Sequence, residues 1–315
     1  MSPAGVSDQR RKAQTMAMTR GRLILRRAEP LLWLGPALAL IILVVIWPVG
    51  VMIRSSFQHI GGEGFVAGYN GLENYRHLFH EPDLVPVLWR SVIWVFGVVA
   101  GTLLISFGLA ELFHQRFPGR RLARWALIVP WAASVMMTAL IFRWALDPNN
   151  GAINLILHRL GLVELGSNRA SWLGDPHTAL PWMMGVAIFV SLPFTTYAIL
   201  SGRQGIPDDV YEAAALDGAS GWRTYLNITL PLIRPAIIVA TLINVINVFN
   251  SFPIIWEMTR GGPGYQTSTS TIYMVDLKQS NVGESAAMSV LNFSVVIVVV
   301  LVYLASTNWK EEVRR

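Results

Sequence analysis

Six stretches of the chain carry no charged residue and are long enough, or nearly so, to cross a bilayer: Leu31–Ile53, Ser91–Ala110, Trp125–Phe142, Thr178–Gly202, Pro235–Trp256 and Ser285–Trp309. About 20 apolar residues in a helix match ~30 Å of hydrocarbon. The third run, at 18 residues, is the shortest. Lipid offers no hydrogen-bond partner to the backbone, so each run is expected to be a helix. The pattern predicts an all-α integral membrane fold with six transmembrane helices. Pro36, Pro48, Pro130, Pro193 and Pro253 fall inside the runs and predict local kinks. Residues 1–30 mix Arg, Gln, Ser, Thr and Gly with no steady apolar period, which predicts a mobile tail before a transmembrane domain of residues 31–309. Residues 310–315 form a short C-terminal end. The triplet Ala37-Leu38-Ala39 resembles a signal-peptidase site, but it lies inside the first apolar run instead of after it.

Composition agrees with the pattern. Charged residues make up 14% of the chain, against about 25% in a soluble domain. With no cysteine, disulfides, thiol nucleophiles and thiolate metal sites are excluded. The net charge of +6 is modest and does not point to nucleic acid. Its placement is more informative. Seventeen Lys and Arg lie in the N-terminal tail, the second and fourth loops and the C-terminus, and six lie in the other three loops. The positive-inside rule then puts both termini and the 201–234 loop in the cytoplasm. The seven basic residues of the tail would hold it near anionic headgroups of membrane lipid.

Several chemistries are missing. No Gly-x-x-x-x-Gly-Lys-Ser/Thr loop occurs to cradle nucleotide phosphates, and no His-Glu-x-x-His or comparable metal cluster occurs. The six runs contain no acidic residue, whereas ion-coupled carriers place ionisable groups within the membrane. That counts against the alternative reading, a self-powered secondary carrier or channel. A membrane enzyme would need a catalytic constellation that the sequence lacks. Gly97-x-x-x-Gly101 fits a close-packing motif for membrane helices.

The 201–234 loop is the most specific segment. Pro207 suits a first helical position, and Asp208, Asp209 and Glu212 complement the positive end of a helix dipole. Gly218 can take the left-handed conformation that ends such a helix, and Ser220 can cap a second one. Pro231 and Pro235 then bend the chain back toward the membrane. Ala213, Ala214 and Ala215 leave a shallow surface suited to a groove on a partner.

Glu212-Ala213-Ala214, three residues, Gly218 (within Asp217-Gly218-Ala219), nine residues, then Ile228-x-Leu230-Pro231 resembles the EAA loop of ABC importer permeases. The outer segments Gly71-Leu72-Glu73-Asn74-Tyr75, Met258-Thr259-Arg260-Gly261-Gly262-Pro263 (with Thr267 and Tyr273) and Gly283-Glu284-Ser285-Ala286-Ala287-Met288-Ser289 are similar to the sugar-type branch of that family, the maltose/glycerol-phosphate/trehalose class. The resemblance implies a type I importer transmembrane domain in a bacterial cytoplasmic membrane. It implies a coupling helix that docks on a separate ATPase, two copies of that ATPase, a second six-span permease and an external binding protein. It also implies that ATP and magnesium are bound by the partner ATPase and that this chain holds no cofactor and catalyses nothing.

The fifth run offers a place for a solute. Asn244, Asn247 and Ser251 are spaced to fall near one helix face, with Asn250 flanking them. Amides both donate to and accept from sugar hydroxyls, and Phe249 and Phe252 beside them could stack on a sugar ring. The same polar residues would equally serve as hydrogen-bond glue between helices, at ~0.6 kcal/mol per bond. The sequence leaves both readings open. Ser191, Thr195, Thr196 and Tyr197 in the fourth run are weaker candidates, and Arg90 and Arg143 near run ends suit anchoring.

Overall fold

A computed structural model describes residues 33–306. The tail of residues 1–30, the C-terminal segment 310–315 and the outermost residues of the first and last runs lie outside the described residues. The first helix, α1 (Trp33–Ser55), forms a unit of its own, and its register is interrupted by one π-helical turn at Ile42–Ile46. All that follows concerns the second unit, which begins at Ser56.

That unit opens with a feature the all-α expectation lacks. Strands β1 (Gln58–Ile60) and β2 (Val66–Tyr69) pair antiparallel, with a bulge at His59/Ile60. Strands of three and four residues are too short to show a period in the sequence. They are pinned from elsewhere: Asn74 Nδ2 donates to the carbonyls of Ser56 and Gln58, each at 2.9 Å. The short helix α2 (Glu73–His80) supplies that asparagine.

Eleven further helices follow: α3 (Leu84–His114), α4 (Arg120–Ala132), α5 (Val135–Ala145), α6 (Ala152–Arg159), α7 (Pro176–Gln204), α8 (Asp208–Leu216), α9 (Gly221–Leu232), α10 (Arg234–Phe249), α11 (Phe252–Met258), α12 (Ser270–Ser280) and α13 (Val282–Ser306). Among the described residues, α1, α3, α7 and α13 are long and apolar enough to cross a membrane alone, and α9 with α10, bent by 67°, makes a fifth candidate.

Two expected runs are interrupted. The third divides into α4 and α5, because Ala133 and Ser134 are extended. The fifth divides into α10 and α11 at Asn250–Ser251. There the break is matched by Pro253, which has no N–H to give the Phe249 carbonyl. It serves instead in the first turn of α11. By contrast α7 continues through Pro181 and Pro193.

The second unit is ordered by a pair of parallel helices, α3 and α7. A Cβ on Gly97 would lie 2.5 Å from Met184 Cε and one on Gly101 2.6 Å from Ile188 Cδ1, so the two glycines let the helices approach closely. Further along, Thr196 Oγ1 donates to Ser106 Oγ at 3.1 Å, and Arg203 pairs with Glu111 at the shared C-terminal end. Helix α4 starts at that end, where Arg124 donates to the Phe113 carbonyl at 2.7 Å. Helix α10 also starts there, with Ile233 packed against Ile199 and Leu200, and it climbs until Trp94 Nε1 donates to the Val248 carbonyl at 3.0 Å. Helix α13 starts at the opposite end, where Ala287 and Met288 pack on Leu84 and Val87. The runs α3, α4–α5, α7, α10–α11 and α13 therefore alternate in direction.

Candidate functional site

Two sites stand out, one at the end of the bundle where α3 and α7 finish and one within it. The first is the hinged pair α8–α9. Asp208 and Asp209 occupy the first turn of α8, where carboxylates favour the dipole. Pro207 sits at the N-cap, one position earlier than its sequence reading. Gly218 has φ +73°, and the turn is closed by Gly218 N–H to the Ala215 carbonyl and Ala219 N–H to the Ala214 carbonyl, at 3.1 and 3.0 Å. Ser220 caps α9 by accepting from the Arg223 N–H at 3.4 Å. Thr229 Oγ1 reaches Tyr211 Oη at 3.4 Å and ties the two helices together.

Ala214 faces inward, whereas Glu212, Ala213, Ala215, Asp217 and Gly218 are exposed and Ala219 is half-buried. Ile228 and Leu230 are half-buried, and Pro231 is exposed. Two residues that sequence reasoning missed share the exposed surface: Leu216 at 89% and Trp222 at 72% exposure. The surface is thus not merely shallow; it bears apolar side chains that water does not favour. Beneath it, the Arg203 guanidinium lies between Glu111 and the Tyr225 ring, 6.0 Å from the ring centre.

The second site is a cavity of about 430 Å³ walled by α4, α5, α7, α10 and the start of α11. Pockets of roughly 300–1,000 Å³ hold small organic ligands. Asn244, Asn247, Asn250 and Ser251 all line it, together with Ser191 and Thr195 from α7. Phe249 and Phe252 do not. Phe249 lines a separate apolar groove between α3, α10 and α13, and Phe252 stacks on Trp256 with centroids 5.1 Å apart. The aromatic side chains that line it instead are Trp131 and Phe194, neither singled out in the sequence. Thr196 and Tyr197 are spent between helices, Tyr197 donating to the Arg124 carbonyl at 3.1 Å. Arg90 anchors the loop before α12 through the Ser268 carbonyl (3.3 Å), and Arg143 anchors the end of α11 through the Glu257 carbonyl (3.0 Å).

The outer motifs stitch the far end of the bundle. Thr267 accepts or donates with Thr259 at 2.9 Å and donates to the Gly262 carbonyl at 2.8 Å, closing the 258–267 turn. Tyr273 is buried against Tyr265, and its hydroxyl is pushed up to about 12, first by burial and then by nearby acidic groups led by Glu81. Burial also raises the Asp276 carboxyl. Among the described residues no group of His, Asp or Glu could hold a metal ion.

The family described as "Binding-protein-dependent transport system inner membrane component" matches residues 87–311. A probable ABC transporter permease protein of Brucella suis biovar 1 is 36% identical over 288 residues, covering 91% of this chain and 99% of that one. The sulfoquinovosyl glycerol transport system permease protein of Agrobacterium fabrum is 33% identical, covering 90% and 92%. The same fold occurs in the crystal structure of a bacterial ABC transporter involved in the import of the acidic polysaccharide alginate, with a TM-score of 0.77 at 20% identity over 91% of this chain and 97% of that one. A hinged helix pair at one end, a cavity with a row of polar side chains within the bundle and a match across most of its length identify the chain as a member of the binding-protein-dependent inner membrane components, the multi-pass permease subunits of ABC transporters.

Proposed function

We propose that this chain forms half of the translocation pathway for a carbohydrate or related polar solute, and that α8–α9 couples it to an ATPase subunit. The observation that carries the reading is the hinge itself: the Glu212-Ala213-Ala214 face, Gly218 at positive φ and the Ser220 cap sit together at one end of the bundle. Two ATPase copies hold ATP and magnesium, one on this loop and one on the corresponding loop of a second six-span permease. An external binding protein delivers the solute. The chain itself hydrolyses nothing. Relatives whose names speak of sulfoquinovosyl glycerol and of alginate support a carbohydrate cargo. The row Asn244, Asn247, Ser251 with flanking Asn250 lies on the solute's path, since all four border the cavity.

The alternating direction of the runs and the bias of basic residues support six spans with both termini inside. Reporter fusions at Ile60, Leu160 and Ser270 should register outside, and those at Pro118, Ala215 and Glu312 inside. An outside signal at Ala215 would remove the coupling role. The coupling contact has its own test. Glu212 is exposed, where a substitution usually changes stability by less than about 0.5 kcal/mol. Glu212→Lys should therefore leave the subunit in the membrane yet reduce the ATPase that co-purifies with it. Undiminished co-purification would assign the docking surface elsewhere.

A further inference from the structure

The bundle end that carries the hinged pair is held at two points. The first lies at the bend between α9 and α10. A Cβ on Gly202 of α7 would lie 2.7 Å from Ala236 Cβ and 3.6 Å from Ile233 Cβ, so α7 presses closely on the start of α10. The second lies away from the bend. Arg203, whose side chain is 11% exposed, pairs with Glu111 and sets its guanidinium over the Tyr225 ring. Tyr225 precedes Ile233 by eight residues, roughly 12 Å along a helix. The charges explain why these side chains meet. Glu111 lies in the last turn of α3, where a carboxylate opposes the negative end of the helix dipole. Arg203 lies in the last turn of α7, where a cation is favoured. Glu111 therefore gains nothing from its own helix and is held by the cation beside it. That braces the guanidinium from one side and leaves its flat face to the Tyr225 ring. None of the three is among the motif residues of the 201–234 loop.

One point of contact is a pivot, whereas two fix an angle. We infer that Arg203 is a positioning residue: braced by Glu111, it holds Tyr225 and so fixes the angle of α9 against the α3–α7 pair. The inference rests on the coupling role proposed for α8–α9. With the pivot alone, the bend at Ile233 would absorb a push delivered to α8–α9, and only α10 would follow it. With Arg203 seated on Tyr225, the push reaches α3 and α7 as well. The walls that α7 and α10 give to the cavity then move together.

The absence of cysteine from the chain makes the inference testable. Gln115→Cys, just past α3, and Arg223→Cys, on α9, put two spin labels at exposed positions. Their separation is measured by pulsed electron resonance in the assembled transporter, first without nucleotide and then after trapping with ATP and vanadate. Cysteine-free partner chains complete the complex. A swing of about 15° about the bend would carry Arg223, roughly 15 Å away, through about 4 Å. The parent pair should show less than half of that arc on trapping, and Tyr225→Leu the whole of it. Tyr225→Phe keeps the ring and should behave as the parent. Glu111→Gln combined with Arg203→Gln removes both charges, leaves neither one orphaned, and should behave as Tyr225→Leu. A parent pair that swings through the full arc would overturn the inference, as would Tyr225→Leu or the double variant tracking the parent, or Tyr225→Phe swinging with them. Distances that broaden equally with and without nucleotide would also overturn it, since a contact that only stabilises the fold does that. A label on exposed Asp209 of α8 checks the reading beneath. Its mobility should fall when the ATPase binds; unchanged mobility would sink the coupling role, and this inference with it.

Discussion

Replacing Gly218 with valine is expected to abolish solute-stimulated ATP hydrolysis by the assembled transporter while leaving the subunit in the membrane. Gly218 holds φ +73°, and nothing lies within 4 Å of where its Cβ would be. Space is therefore not the constraint; the backbone is. A β-branched residue in the left-handed region is penalised by about 1–2 kcal/mol, and an exposed two-helix turn relieves that penalty most readily by reopening. The bonds from Gly218 N–H and Ala219 N–H to the end of α8 would be lost, and α8 would swing relative to α9. The Glu212-Ala213 surface would then meet the ATPase at the wrong angle. Gly218→Asn is the control, because asparagine visits this conformation readily. It should keep much of the stimulation that valine loses. Equal loss in both would point to the missing glycine surface instead of the hinge angle, and normal stimulation with valine would show that the angle does not matter.

The parts of this protein that could be read from sequence are those fixed by local rules. The 201–234 loop declares itself through carboxylates at a helix start, a glycine at a helix end and a serine cap, all within about a dozen residues. The long helices α3, α7 and α13 declare themselves because lipid demands unbroken apolar length. Even so, their ends were misplaced in an informative way. Helix α3 begins at Leu84, seven residues before the uncharged run at Ser91, because Arg90 belongs to the helix and spends its Nε–H on the Ser268 carbonyl. An uncharged-run rule trims such a helix at its own anchor.

What could not be read depends on contacts between distant residues or on a broken register. The asparagine stripe was legible because Asn244 and Asn247 share one helix, α10. Phe249 and Phe252 were assigned to the same site on the assumption that the helix continued. The break at Asn250–Ser251 resets the phase, so α11 turns Phe252 toward Trp256; Phe249 is still on α10, but two residues after Asn247 it points away from the stripe and into another groove. Ser191 and Thr195, weaker candidates in the sequence, do join the cavity from α7, whereas Trp131 and Phe194 join it at sequence distances no periodicity connects. The β1–β2 hairpin is set by Asn74 and by the start of α13, not by its own seven strand residues.

That last dependence gives the second large expected effect: Gly283→Val should dismantle the far end of the bundle. A Cβ on Gly283 would lie 2.5 Å from the Gln58 carbonyl oxygen and 2.7 Å from Asn74 Nδ2. The first is backbone of β1, and the second belongs to a side chain 2% exposed, so neither can give way cheaply. Seating the valine requires Asn74 to release its bonds to the Ser56 and Gln58 carbonyls. Buried polar groups left unpaired cost about 1–3 kcal/mol each, and several are unpaired together. The hairpin would then detach from α13, whose preceding residue it also meets through the Gly61–Asn281 bridge. Limited proteolysis should show rapid cutting between Gly61 and Phe65 in Gly283→Val and slow cutting in the parent. Asn74→Ala, which removes the two bonds without adding bulk, should fall between them. Because α8–α9 lies at the opposite end of the bundle, co-purification of the ATPase should persist in both variants. A hairpin that stays protected in Gly283→Val would mean that α13 and β1 can part without unpairing Asn74, and that the glycine at this position answers to something other than close packing.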